Sequence, residues 1–178
     1  MTTIAFDGKI LATDSQVSCG NVKHCDEQKL FQVDGALYAF AGDTKDRELF
    51  LQWIAEGAPL DGKPELCEGD DFSAVVVTKY GAAFEYDGDL IALPVRGCRA
   101  WGSGWQIAEA VLQLGLGAVT AIETACKLDC YTGGDVQSAL IPEAVAPAYV
   151  EPPAKPVAVL KPVVKNIRSR FKRRVGKK

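Results

Sequence analysis

The chain opens MTTIAFDGKILAT, and this stretch constrains the fold more than any other. Two short β-prone runs, residues 3–6 and 9–13, flank Asp7-Gly8. Asp-Gly between such runs is a strong hairpin signal, because both residues tolerate the positive φ that tight hairpin turns require. The hairpin places Thr2 at one strand end and Asp14 at the other. Any fold for this chain must therefore accept an antiparallel pair at its very start, with two polar residues side by side at one end of it.

Thr2 follows the initiator methionine directly. Its small side chain suits removal of Met1 by a methionine aminopeptidase, which puts a hydroxyl and a free α-amino group on one residue. An α-amine has a pKa of about 7.7–8.0, so it can take the hydroxyl proton near neutral pH. A threonine with its own terminal amine is one way of activating a weak nucleophile.

The remaining signals follow in order. Residues 16–28 are polar and read as irregular, with a turn at Gly20-Asn21. KLFQV (29–33) and ALYAFA (36–41) read as strands around a second Asp-Gly turn at Asp34-Gly35. With the opening hairpin they make a four-strand antiparallel unit. A helix starts at Asp43, with Leu49, Phe50, Trp53 and Ile54 at helical spacing, and Gly57 and Pro59 stop it. Residues 72–78, 82–86, 90–94 and 98–101 read as strands. Two helices follow: the first carries Ile107, Ala108, Val111, Leu112 and Leu114, and the second spans 118–128. Residues 136–141 read as a last strand. Sheet, helix, sheet, two helices and strand amount to an α+β layered fold with two antiparallel sheets and helices outside them.

At 178 residues the chain suits one domain with a tail. No apolar run approaches the roughly 18 residues of a membrane span. Six cysteines without regular spacing, and no secretory signal, read as reduced thiols. Cys19, His24 and Cys25 lie close together, but no second ligand pair follows, so a zinc site is not expected. His24 is the sole histidine, and no phosphate loop or dinucleotide fingerprint occurs. The charge is split. Residues 1–140 hold 10 Lys/Arg and 21 Asp/Glu, a net of −11, whereas 141–178 hold 10 and 2, a net of +8. Six of the nine prolines fall between 142 and 162. Residues 142–160 read as an extended linker and 161–178 as a basic tail, disordered or a short amphipathic helix.

Seven segments in order, TTIAF (2–6), ATDSQ (12–16), GNVK (20–23), KLFQV (29–33), AFAGDT (39–44), GSG (102–104) and LDCYTGG (128–134), resemble the proteasome β-subunit and HslV-like family of N-terminal-nucleophile hydrolases. The resemblance covers residues 2–140. It implies a four-layer αββα sandwich, and threonine endopeptidase chemistry without a cofactor or metal. Alternatives within the same fold are a catalytically silent ring or scaffold subunit and a non-proteolytic amidohydrolase.

Residue by residue, the resemblance makes Thr2 the nucleophile, Asp14 the aspartate beside it, and Lys29 the lysine that lowers the proton affinity of the threonine hydroxyl. Lys23, in GNVK, competes for that role; the strand context of Lys29 favours Lys29. Ser103, Asp129 and Thr132 match the family's serine, aspartate and serine near the terminal amine. Gly42 matches the glycine whose amide faces the oxyanion. By position Glu27, Phe31, Phe40 and Thr44 line the substrate pocket. Each residue taken singly also has a structural role open to it: Asp14 as a turn residue, Lys29 on an edge strand, Ser103 as a helix N-cap, Asp129 as a helix stop and Gly42 as a turn glycine. Gln16 stands where many members carry arginine, and the first hairpin is shorter than usual.

The resemblance further implies a cytoplasmic bacterial protein, nearest in character to small phage or prophage-type members. It implies peptide or unfolded-protein substrates, a homo-oligomeric stacked ring, and an ATPase unfoldase as a candidate partner. For the basic tail the expected contact is the acidic body of a neighbouring subunit, with nucleic acid and a membrane surface as alternatives.

Overall fold

In the computed structural model, Thr3–Phe6 forms β1 and Ile10–Thr13 forms β2. Residues 1–67 and 71–141 are described; the Pro-rich linker and the basic tail fall outside them. The first hairpin closes around Gly8 and Lys9, one residue beyond the Asp-Gly signal. Asp7 N–H donates to the Ile10 carbonyl at 3.2 Å, and Gly8 takes φ +91°. Asp7 is drawn out of the turn centre by its side chain, which accepts the amides of Lys9 and Ile10 through Oδ1 and that of Ala118 through Oδ2. The last of these tethers a helix that begins 111 residues later. Burial would raise the Asp7 carboxyl, but these three amides hold it below its ordinary range.

The second Asp-Gly hairpin forms where the sequence indicates. Leu30–Val33 is β5 and Ala36–Ala41 is β6. Val33 pairs with Ala36, and Asp34 and Gly35 both have positive φ, 50° and 80°. Residues 16–28 are not irregular: Gln16–Cys19 and Val22–Asp26 form β3 and β4, a two-stranded ribbon around Gly20-Asn21. Most of its side chains are exposed, so neither face carries the alternation that signals a half-buried strand. The remaining strands are β7 (Ser73–Val77), β8 (Ala83–Tyr86), β9 (Leu93–Pro94), β10 (Arg99–Gly102) and β11 (Gln137–Leu140). The strand expected over 90–94 shrinks to two residues, because Leu90 turns inward at φ +53° and is buried.

The two Asp-Gly hairpins do not share a sheet, which corrects the expected four-strand unit. One sheet has the order β10-β1-β2-β11 and the other β5-β6-β7-β8-β9, all antiparallel. Side-chain alternation explains the division. Ile4, Phe6 and Leu11 of the first sheet meet Leu37, Ala39, Val75 and Val77 of the second, forming a core between the sheets. The opposite faces are covered by helices. Ala5 and Ala12 pack against α2 (Trp105–Gln113) and α3 (Ala118–Leu128). Phe40, Ala74 and Val76 pack against α1 (Thr44–Ala55). Helix, sheet, sheet and helix therefore form the four αββα layers.

α1 starts at Asp43, whose carboxylate accepts the Lys45 amide at 2.7 Å as an N-cap. Phe50 is fully buried and meets Phe40, Phe72 and Tyr86 with ring centroids 5.1–5.6 Å apart. Gly57, at φ +88°, ends the helix.

Candidate functional site

Three loops converge at one end of the inter-sheet layer. The chain start brings Thr2 and Thr3, the exit of β2 brings Asp14, and the segment entering β5 brings Lys29. Asp14 is fully buried and Lys29 is 6% exposed. Lys29 Nζ lies 3.2 and 3.3 Å from the Asp14 carboxylate oxygens, and donates to the Met1 carbonyl at 2.7 Å and the Gln16 carbonyl at 2.5 Å. Asp14 also accepts the amides of Thr3 (2.9 Å), Gln16 (3.2 Å) and Gly133 (3.2 Å). The buried pair is thus satisfied on both sides, the condition under which buried charges are tolerated.

Burial shifts both partners toward neutrality. It pushes the Asp14 carboxyl up, opposed by the Lys29 charge and the Thr3 and Gly133 amides. It pulls the Lys29 ammonium down, opposed by Asp14. The α-amino group, here still on Met1, also falls below its ordinary value, through burial and then the nearby Lys29 charge.

Lys23 is elsewhere. It sits on β4, half exposed and 3.1 Å from Asp26. The structure brings Lys29, not Lys23, to Asp14.

Ser103, Asp129 and Thr132 also gather here, but their hydroxyl centre is Thr3. Thr3 Oγ1 lies 2.6 Å from Thr132 Oγ1 and 3.4 Å from Ser103 Oγ, and it accepts the Gly104 amide at 2.8 Å. Thr132 Oγ1 donates to Asp129 Oδ2 at 2.5 Å. Ser103 reaches Thr2 through the backbone, its N–H donating to the Thr2 carbonyl at 2.9 Å. Two glycines permit this closeness. A Cβ on Gly102 would fall 1.8 Å from the Thr2 carbonyl oxygen, and one on Gly104 2.7 Å from Thr132 Oγ1.

Thr2 is 6% exposed and borders two cavities. The smaller, about 60 Å³, is lined by Glu27, Lys29, Phe40, Gly42, Thr44 and Arg47 among others. The larger, about 620 Å³, runs past Ser18, Gly42, Asp71, Ser73, Gly102 and Ser103. Gly42 lines both, at φ +128°. Of the four residues expected around the substrate, Glu27, Phe40 and Thr44 line the smaller cavity. Phe31 does not: it packs edge-on to Phe40 at 6.0 Å, lies beneath the Arg47 guanidinium, and lines a separate groove with Gln137 and Ala139. Arg47 lines the smaller cavity instead.

Three further residues shape the site without a clear sequence signal. Thr3 is one. Gln16 donates to Ser18 Oγ (3.0 Å) and to the Cys130 carbonyl (3.2 Å), tying β3 to the 129–134 segment. Gln137 accepts the amides of Lys29 (2.8 Å) and Leu30 (3.1 Å) and donates to the Glu27 carbonyl, which fixes the backbone that presents Lys29. Only strand alternation, placing Thr2 and Thr3 on opposite sides of the chain, could have pointed to Thr3. Among the described residues, no three Cys, His, Asp or Glu side chains are placed to hold a metal ion.

Two antiparallel sheets packed face to face between helices, with the chain start between them, constitute the proteasome-like fold of N-terminal-nucleophile hydrolases. Solved structures carry the same fold. The Thiobacillus denitrificans protein BPH superposes with a TM-score of 0.64 at 16% identity, covering 82% of this chain and 98% of that one. Its complex with epoxomicin gives 0.61 at 16% identity, over 80% and 98%. HslV from Trypanosoma brucei gives 0.60 at 21% identity, over 79% and 98%. No protein-family model and no curated protein matches the sequence.

Proposed function

We propose that the chain is a threonine-type peptidase whose nucleophile is Thr2, exposed by removal of Met1. The observation that carries this reading is the Lys29 ammonium, buried on Asp14 and donating to the carbonyl of the residue directly before Thr2. A cation held at that point favours negative charge on a Thr2 oxygen. Once Met1 is gone, the amine on Thr2 takes the Oγ proton. Oγ attacks the substrate carbonyl carbon, and the resulting oxyanion faces the Gly42 amide. Collapse breaks the C–N bond, and the proton passes to the departing amine. Water, deprotonated by the same α-amine, then hydrolyses the acyl ester on Thr2. One preorganised oxyanion donor contributes about 2.7–4 kcal/mol in comparable sites. The Ser103, Thr132 and Asp129 group, joined through Thr3, orients the backbone around that amine.

Epoxomicin is bound in the Thiobacillus denitrificans structure, which makes an epoxyketone a suitable probe here. Intact-mass measurement of purified protein should show loss of one methionine and a single adduct on Thr2. Thr2→Ala should abolish both the adduct and peptide cleavage while leaving the fold intact. Activity in protein that keeps Met1 would overturn the mechanism.

Under the same reading the subunits assemble as a homo-oligomeric ring in the cytoplasm and draw on an ATPase unfoldase, because an open terminal threonine would cut cytosolic proteins indiscriminately. The basic tail docks on the acidic body of a neighbour. Light scattering that returns a monomer at micromolar concentration would count against assembly, and a chain ending at Ile141 that assembles normally would remove the tail's role.

A further inference from the structure

All three arginines among the described residues line cavities at or beside Thr2, within a body whose residues 1–140 hold twice as many acids as bases. Arg47 lines the small cavity. Arg96 and Arg99 line a third cavity, of about 590 Å³, with Trp101, Trp105 and Glu109. This cavity adjoins the larger one beside Thr2, since Ser73 and Gly102 line both.

Arg99 is held in place before any ligand arrives. Its Nη1 lies 3.1 Å from Glu85 Oε1, and the guanidinium lies 5.8 Å from the centre of the Trp101 ring. Glu85 Oε2 in turn accepts the Trp101 Nε1–H at 2.6 Å. One donor is spent on Glu85, which leaves the others of a planar fork. Arg96 makes no hydrogen bond or ion pair with the described residues and is exposed. The one acid in the lining, Glu109, is engaged: it accepts the Ala100 amide and the Gln113 side-chain amide, both at 2.8 Å. The cavity therefore presents unspent guanidinium donors beside aromatic walls, a combination matched to a carboxylate on a partly apolar chain.

Distance sets the register. Arg99 precedes Gly102 by three residues on β10, about 10 Å at the rise of a strand. An extended peptide covers that length in about three residues.

We propose that this cavity is an acidic-residue subsite, taking an Asp or Glu side chain of an extended polypeptide three or four residues from the bond that Thr2 cleaves. The proposal rests on the peptidase reading and names its substrate class.

The test uses full-length protein lacking Met1 and a set of internally quenched peptides whose cleavage position is mapped by mass spectrometry. Glu, Gln or Lys is placed singly at each of five positions on either side of the cleaved bond. Glu at one position three or four residues away should raise kcat/KM about tenfold over Gln. The gain should sit in KM and shrink with salt. Arg96→Glu, at an exposed side chain that spares the fold, should turn the preference to Lys at that position, and Arg96→Gln should flatten it. Equal rates for Glu, Gln and Lys at every position, in an enzyme that cleaves the set, overturn the subsite and leave the peptidase reading standing. Loss of assembly in Arg96→Glu together with no Glu preference assigns the cavity to a subunit contact and also overturns it. Absence of both cleavage and epoxyketone labelling overturns the peptidase reading, and this proposal with it.

Discussion

The cluster around Phe50 and the cluster around Thr3 are both buried and are held together in different ways. Phe50, Phe40, Phe72, Trp53 and Tyr86 bury large apolar surfaces with edge-on and tilted ring contacts. Burial of such side chains stabilises by about 1.5–3 kcal/mol each and tolerates a change of shape at constant volume. Thr3, Asp14, Lys29 and Thr132 are buried polar groups whose every partner is fixed in direction. A polar network loses most when one member is removed, because the others stay buried and unpaired. The fold thus keeps a forgiving interior on the α1 side and an exacting one at the chain start, where Thr2 sits.

Substitutions can break or sharpen this contrast. Asp14→Ala leaves Lys29 buried without its partner, and should cost about 3–5 kcal/mol in chemical unfolding and end Thr2 labelling. If Asp14→Ala unfolds like the native protein, the pair is not buried as described. Phe50→Ala should cost a comparable ~3–5 kcal/mol. Phe50→Met should recover most of it, and labelling of Thr2 in the folded fraction should persist in both. Thr3→Val strands the Gly104 amide and takes one partner from Thr132 Oγ1, which keeps Asp129, for about 1–3 kcal/mol, and should slow Thr2 labelling. Thr3→Ser should restore the rate. Equal behaviour of Val and Ser would show that the hydroxyl cluster has no influence on Thr2.

A pH profile gives a smaller effect. On the peptidase reading, the Thr2 amine must be unprotonated to act as base, so kcat/KM rises as pH climbs through its pKa. Burial and then the Lys29 charge lower the Met1 amine; if the Thr2 amine exposed in its place meets the same Lys29 charge, the acidic limb should lie below the ordinary 7.7–8.0 of an α-amine. A limb above pH 8 would contradict the site's electrostatics. The least effect belongs to Thr13. Its hydroxyl is fully buried yet has no partner among the described residues. Thr13→Val should change stability by no more than about 1 kcal/mol, in the stabilising direction. A large loss would mean that this hydroxyl serves the site.

Much was legible because it is local. The Asp34-Gly35 turn needs only two residues that accept positive φ, and Asp43 announces α1 through a bond to an amide two residues on. The apolar spacing of α2 and α3 follows from helical period. What was not legible is long-range. The two Asp-Gly hairpins look alike in sequence, yet β1 and β2 are flanked by β10 and β11 while β5 and β6 join β7. Arg47 of α1 lines the small cavity and its guanidinium lies over the Phe31 ring, which faces a separate groove, a placement no local pattern gives.

By itself the sequence determined the two Asp-Gly hairpins, the three helices and the polar residues carried at the chain start, since each depends on torsional preference and periodicity within a few residues. Tertiary structure alone decided that Thr3 joins Ser103 to Thr132 and that Asp7 caps a helix 111 residues away, and it brought to Asp14 the Lys29 that strand context had only favoured over Lys23. Those pairings follow from which faces of two sheets bury against each other, and no local preference encodes that choice.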